Sequence, residues 1–262
     1  MHTQEYLDKI GVRDLPPRTA PFDPGYDPQT VYQHLQQSSH LMSGLKLSMA
    51  CWQIANENAT REKIDACKKF GVKAQAGGGP LEVAAAQGCI DEYLELCGGL
   101  GFDRIEAGEG FIRNNLNPYD IVTRAQHHGL EVQFELGEKH TGEFDDAVVD
   151  ELIQQGTEWL EAGARQVVIE ARESASGVGL FSMDGELNTA LADRFSASFD
   201  VDQVVYEAPV KSSQFLLLDH FGPDVALGNI RLEELLRVEI YRRGLHSDAF
   251  ARDNLRPFKR QD

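Results

Sequence analysis

Cysteine is scarce in this sequence: 262 residues contain 4, at Cys51, Cys67, Cys89 and Cys97. No two form a Cys-x-x-Cys pair, which excludes the common zinc modules and a disulfide framework and leaves reduced core thiols as the reading. Long apolar runs are missing too; no stretch approaches the roughly 18 residues of a membrane span. The opening MHTQEYLDKI lacks the basic-then-apolar pattern of a secretory leader, so a cytoplasmic protein without a membrane partner is expected. Basic residues are outnumbered, 25 Lys and Arg against 42 Asp and Glu, for a net charge of −17. That balance withholds the basic face that nucleic acid or an anionic membrane requires. A Gly-x-Ser-x-Gly elbow, a Walker loop and a His-rich metal signature are also absent. Low-complexity linkers and charge blocks do not occur, so one globular domain is expected, long enough to bury a core without staples.

What is present is alternation. Short apolar runs that read as parallel strands buried on both faces lie at Arg18–Pro21, Gly44–Ala50, Val72–Ala76, Phe102–Ala107, Leu130–Leu136, Gln166–Ala171, Gln203–Ala208 and Asp224–Leu227. Amphipathic stretches separate them, at Pro28–His40, Glu57–Phe70, Leu81–Gly99 with a break near Gly88, Pro118–His128, Asp145–Ala162, Gly185–Ser198, Ser212–His220 and Leu232–Arg243. Gly71, Gly129, Gly163 and Gly244 stand where helix C-caps belong. Eight strands alternating with eight helices predict an α/β fold, a single-domain (β/α)8 TIM barrel, with an open doubly wound sheet as the alternative. The expected organisation is a loose N-terminal extension over 1–17, the barrel over 18–250 and a polar C-terminal tail over 251–262.

In such barrels the chemistry sits where strands end and loops begin. Strands four to seven here leave the sheet through Glu106, Glu135, Glu170 and Glu207. Buried carboxylates are costly unless paired or bound to metal, so either Glu–Lys and Glu–Arg locks or a functional cluster is expected. Convergent carboxylates suit Mg²⁺, and Glu106, Glu170 and Glu207 are the candidate ligands. Lys46, Lys139, Arg172 and Lys211 are candidate anion binders. The Gly77-Gly78-Gly79 run before the helix at Leu81 offers Gly78 and Gly79 as backbone donors to an anion, or simply a turn. Asn229 lies at the end of strand eight. His140 is a further candidate donor, whereas His127 and His128 read as a helix cap and Trp159 as core.

The strand-end strings, taken in order from Pro17 to Asp248, resemble phosphosulfolactate synthases, barrel enzymes of coenzyme M biosynthesis that add sulfite to phosphoenolpyruvate with Mg²⁺. The resemblance is carried by Gly77-Gly78-Gly79 with Leu81-Glu82, Ile105-Glu106, Glu135-Leu136-Gly137-Glu138-Lys139 and Glu170-Ala171-Arg172-Glu173. It continues through Glu207-Ala208-Pro209 with Lys211, Leu227-Gly228-Asn229-Ile230 and Arg243-Gly244-Leu245. The sequence departs from the family pattern after Lys46, at Gly79-Pro80 and at Ala107-Gly108-Glu109-Gly110. The resemblance implies a lyase that forms a C–S bond at C3 of phosphoenolpyruvate, with Lys139, Arg172 and Glu135 catalytic. It further implies that Lys46, Lys211, Gly78, Gly79 and Asn229 bind substrate, and a homo-oligomer is expected. Two alternatives stand beside it: a diverged relative acting on another enol-type or phosphorylated acid, and a non-catalytic, stress-related relative.

Overall fold

The computed structural model describes residues 1–138, 142–250 and 252–255. Its strands are parallel and close on themselves in chain order, β1 (Thr19–Asp23), β2 (Leu45–Leu47), β3 (Ala74–Ala76), β4 (Arg104–Gly108), β5 (Glu131–Leu136), β6 (Gln166–Ile169), β7 (Val204–Glu207) and β8 (Leu227–Arg231), with β1 bonded to β8. The helices are α1 (Thr3–Lys9), α2 (Pro28–Ser38), α3 (Cys51–Ile54), α4 (Glu57–Lys69), α5 (Gly79–Ala86), α6 (Ile90–Leu100), α7 (Pro118–His127), α8 (Asp146–Glu161), α9 (Thr189–Ser198), α10 (Lys211–Phe221) and α11 (Leu235–Arg242). The closed barrel removes the open-sheet alternative.

Local signals set the helix starts. Asp27 accepts from Gln29 N and Thr30 N ahead of Pro28, and Asn117 accepts from Asp120 N ahead of Pro118; each cap satisfies a donor that the first turn leaves open. The glycines read as stops, Gly71, Gly129, Gly163 and Gly244, all take left-handed φ. Two readings shift. The last strand begins where Asp224–Leu227 was expected to end, and runs from Leu227 to Arg231. The extension over 1–17 contains the two-turn helix α1, which buries no residue.

The main apolar core fills the layer between sheet and helices, from Ile105, Phe134, Val167 and Tyr206 on the strands to Leu35, Ile64, Leu94 and Trp159 on the helices. Trp159 stacks on Phe134 with centroids 4.1 Å apart. The barrel interior is different. Its apolar filling is a small separate cluster of Val168, Val205 and Ala226, and polar side chains occupy most of the remainder. Gln75 on β3 donates to Gln133 on β5 at 2.6 Å; these strands are not neighbours, so the amides meet only across the interior. Nearer the N-terminal ends of the strands, Arg104 pairs with Glu131 at 2.9 Å and donates to Gln166 at 3.3 Å.

The N-terminal rim is closed by a buried network. Arg242 on α11 is fully buried. It donates to Pro223 O and Val225 O at 2.7 Å each, to Thr19 Oγ1 at 3.0 Å and to Glu239 Oε1 at 3.0 Å. This ties α11 to β1 and to the chain entering β8, at the end of the barrel that serves stability rather than chemistry.

Candidate active site at the barrel mouth

Alternation along the strands decides which side chains enter the barrel. Lys46, Glu106, Glu135 and Glu207 occupy inward positions near the C-terminal ends of β2, β4, β5 and β7. Lys46 Nζ lies 3.1 Å from Glu106 Oε2 and 3.8 Å from Glu207 Oε1. Burial alone would lower the Lys46 ammonium, but the carboxylates of Glu106, Glu207 and Glu135 outweigh it and hold the group above the ordinary lysine range. Lys46 is therefore a fixed cation. Burial pushes the Glu207 carboxyl upward, against the pull of Lys46 and with added repulsion from Glu135 and Glu106.

Glu106 is the hub. Its Oε1 accepts from Lys46 Nζ at 3.2 Å and from Gly78 N at 3.1 Å; its Oε2 accepts from Lys46 Nζ at 3.1 Å and Gln75 Nε2 at 3.2 Å. Gly78 has an ordinary helical φ of −73°, so conformation does not demand glycine. Space does: a Cβ there would sit 3.2 Å from Glu106 Cγ and Oε1. The glycine run thus supplies a backbone donor to an anion, as expected, but at Gly78 that anion is the protein's own carboxylate.

Glu207 Oε2 accepts from Ala171 N at 3.0 Å, and Glu170 Oε1 accepts from Arg172 N. Together these turn the segment after β6 so that Arg172, in the left-handed region at φ +56°, is exposed. A non-glycine residue held there costs roughly 1 kcal/mol or more and persists where surrounding bonds impose it. Among the described residues no ion pair engages the Arg172 guanidinium. Asn229 also has positive φ, +56°, within β8.

The other expected residues divide. Glu135 is buried beside Gly108 and contributes to the field at Lys46. Gly79 opens α5 under the ring of Phe111, which a Cβ would touch at 3.4 Å. Lys211 is exposed, its Nζ 3.2 Å from Asp248 and 5.0 Å over the Phe215 ring. Lys139 and His140 lie outside the described residues. The three Glu expected to hold Mg²⁺ do not form one ligand set in this arrangement. Both oxygens of Glu106 are already filled by donors, and among the described residues no group of three His, Cys, Asp or Glu gathers for a metal ion.

Several residues that shape the mouth were not read from the sequence as site residues. Asp23, fully buried at the end of β1, accepts from Gly25 N, Tyr26 N and Lys63 Nζ at 2.8, 2.6 and 2.6 Å. Glu82, buried in the first turn of α5, accepts from Phe111 N and Ile112 N at 3.0 and 2.9 Å and so ties down the loop after β4. Gln75 and Gln133 carry the contact with Glu106 into the barrel. The available signal for Gln133 was the two-residue spacing of Arg104-Glu106 and Glu131-Gln133-Glu135, which marks a polar inner face.

The family model for (2R)-phospho-3-sulfolactate synthase (ComA) matches residues 17–248. The chain belongs to the phosphosulfolactate synthase family. Among its relatives, the phosphosulfolactate synthase of Methanocaldococcus jannaschii is 32% identical over 235 residues, covering 89% of this chain and 94% of that one. The Bacillus subtilis phosphosulfolactate synthase is 30% identical over 191 residues, covering 72% and 75%. Solved structures of similar shape include deoxyribose phosphate aldolase from Aeropyrum pernix, with a TM-score of 0.55 at 18% identity, covering 91% of this chain and 96% of that one. That likeness concerns the fold alone. Phosphosulfolactate synthase homology makes this chain an enzyme of the lyase or synthase type acting on a small molecule. Among the described residues no helix is long and apolar enough to cross a membrane.

Proposed function

We propose that this phosphosulfolactate synthase homologue adds sulfite to C3 of phosphoenolpyruvate to give (2R)-phospho-3-sulfolactate. The observation that carries the reading is the family match over residues 17–248, which coincides with a barrel whose mouth gathers Lys46, Glu106, Glu135, Glu207 and the turn bearing Arg172. In the reaction the sulfur lone pair forms the C3–S bond. The C3=C2 π pair moves to C2 and onto the carboxylate, and a proton is delivered to C2; the phosphate ester stays intact.

The chain's own groups fit the charge movement. A cation positioned before charge develops stabilises it without reorganisation. Arg172 presents a guanidinium fork for an anionic group. Lys46, locked by Glu106 and Glu207, adds a fixed positive charge deeper in the mouth. Lys139, which follows Glu138 at the exit of β5, is the proposed proton donor to C2. Magnesium belongs to the proposal as an expectation for the family, but Glu106 does not fit as its ligand and no step is routed through it.

The test is incubation of the purified protein with phosphoenolpyruvate and sulfite, with and without Mg²⁺, followed by phosphorus NMR and mass spectrometry. The expected result is a new phosphate monoester with the mass of phosphosulfolactate. Its absence, under conditions where the Methanocaldococcus jannaschii homologue forms it, refutes the proposal and favours a relative that uses another acid or nucleophile.

A further inference from the structure

Two largely buried lysines at the C-terminal face are already committed. Lys46 is held by Glu106 and Glu207 and Lys63 by Asp23, while Lys211 has an exposed partner in Asp248. A chain with a net charge of −17 that takes a phosphorylated carboxylate needs a cation near the entrance, where attraction is least screened by the protein's own acids. One further arginine is placed there with unusual care.

Arg113 lies in the loop between β4 and α7. On one side of it, Phe111 N and Ile112 N donate to Glu82 at 3.0 and 2.9 Å. On the other, Asn114 N and Leu116 N donate to Glu109 Oε1 at 3.1 and 3.0 Å. The Asn114 side chain also donates to Glu82 O at 3.1 Å. Two carboxylates thus fix the backbone on both flanks of one residue, whose own side chain is 77% exposed. Its guanidinium reaches across to Glu138, just past the end of β5, and pairs with it. The bridge spans the rim between two neighbouring strand exits, beside the position of Lys139 in sequence. An exposed pair of this kind is worth about 1 kcal/mol or less, so a doubly charged ligand displaces the carboxylate readily.

We infer that Arg113 is a specificity-determining residue that releases Glu138 and takes the phosphoryl group of the incoming substrate. The inference rests on the proposed function for its substrate class. Phosphate suits the residue because guanidinium offers two parallel donors to two phosphoryl oxygens. Glu138 acts as an internal competitor that keeps the arginine extended over the mouth until an anion arrives.

Isothermal titration of the full-length protein with phosphoenolpyruvate, and separately with inorganic phosphate, tests this in wild type, R113A, R113K and E138Q. R113A is expected to bind both anions roughly tenfold more weakly, the loss of one charge-assisted contact. R113K is expected to be intermediate and E138Q to bind more tightly than wild type, with unchanged circular dichroism throughout. Equal affinities of R113A and wild type for both anions overturn the inference. So does an E138Q variant as weak as R113A, because the pair would then only prop the loop. A wild-type protein that binds phosphate through Arg113 but makes no product from phosphoenolpyruvate and sulfite refutes the reaction and supports the arginine.

Discussion

Replacing Lys46 by Met removes the cation between Glu106 and Glu207 while keeping the length and volume of the side chain. At separations of 3.1 and 3.8 Å, each attraction in an effective dielectric of about 20 amounts to roughly 5 and 4 kcal/mol before desolvation. The exposures of 14%, 4% and 3% for Lys46, Glu106 and Glu207 mean that solvent screens little of this. Net losses on breaking buried pairs are smaller than the gross attraction, and about 3–5 kcal/mol is expected at pH 8. The loss should depend on pH. Glu207 is raised already by burial, and loss of the Lys46 charge that pulls it down raises it further. A group whose folded pKa exceeds its unfolded value contributes stability that is complete below the unfolded value, near 4.3, and is lost as pH rises through the folded one. The deficit of K46M should therefore shrink on going from pH 8 to pH 5, and K46M/E106Q should recover part of it. Urea unfolding of the four cycle members at both pH values reads this directly. A deficit below about 1 kcal/mol, or one independent of pH, refutes the reasoning, because the cluster would then be solvated rather than buried.

At the opposite rim, R242M should cost about 1–3 kcal/mol in chemical denaturation by leaving the Pro223 and Val225 carbonyls without their donor, while Glu239 keeps Arg243 and Thr19 as partners. G78A, with no strain in φ but a Cβ 3.2 Å from Glu106, should cost about 1–3 kcal/mol of stability and a larger fraction of turnover; unchanged kcat would show that the Glu106–Lys46 geometry is not used. Because Glu106 is saturated by protein donors, millimolar Mg²⁺ alone should leave the Tm unchanged, and any Mg²⁺-dependent shift should require phosphoenolpyruvate as a co-ligand; stabilisation by the metal alone contradicts this. Burial pushes the Cys67 and Cys97 thiols up to about 12, so both should resist a thiol reagent at pH 8 in the native protein and react once it is unfolded, as mass mapping of the labelled sites would report.

The fold was legible because parallel strands, buried on both faces, concentrate apolar residues into short runs, and helices punctuate them with Gly stops and Asx-Pro starts. Strand eight was misplaced for a physical reason. Gly228-Asn229 has the composition of a turn, yet it lies inside β8, where a Cβ on residue 228 would stand 2.9 Å from Val205 Cγ1. Glycine there makes room within the barrel and does not bend the chain. Helix α1 was invisible because it buries no residue, so no apolar period announces it. For Lys211 the sequence position fixes only where the backbone leaves the sheet; the pairing of its ammonium with Asp248, 37 residues away in the chain, could not be read from it.

The deeper limit concerns the inner face. Glu131, Gln133 and Glu135 alternate with Val132, Phe134 and Leu136, a pattern that in an open sheet marks a solvent-facing side. Closing the sheet turns that side inward and makes its polar groups partners of one another. Gln75 donates to both Glu106 and Gln133, Gln133 donates to Gln166 at 3.4 Å, and Arg104 donates to Gln166 and pairs with Glu131. Each amide then has a fixed orientation, since reversing one would set donor against donor or acceptor against acceptor. Glu106 is held from below by this chain and from above by Lys46 and Gly78. Its two oxygens are consequently less free to take a metal than its place at a strand end suggests. Strand-end position pointed to the charged residues of the mouth, but the closure of the barrel determined which of them remain available to a ligand, and Arg172 and Arg113, both on loops, are among the described arginines it leaves exposed there.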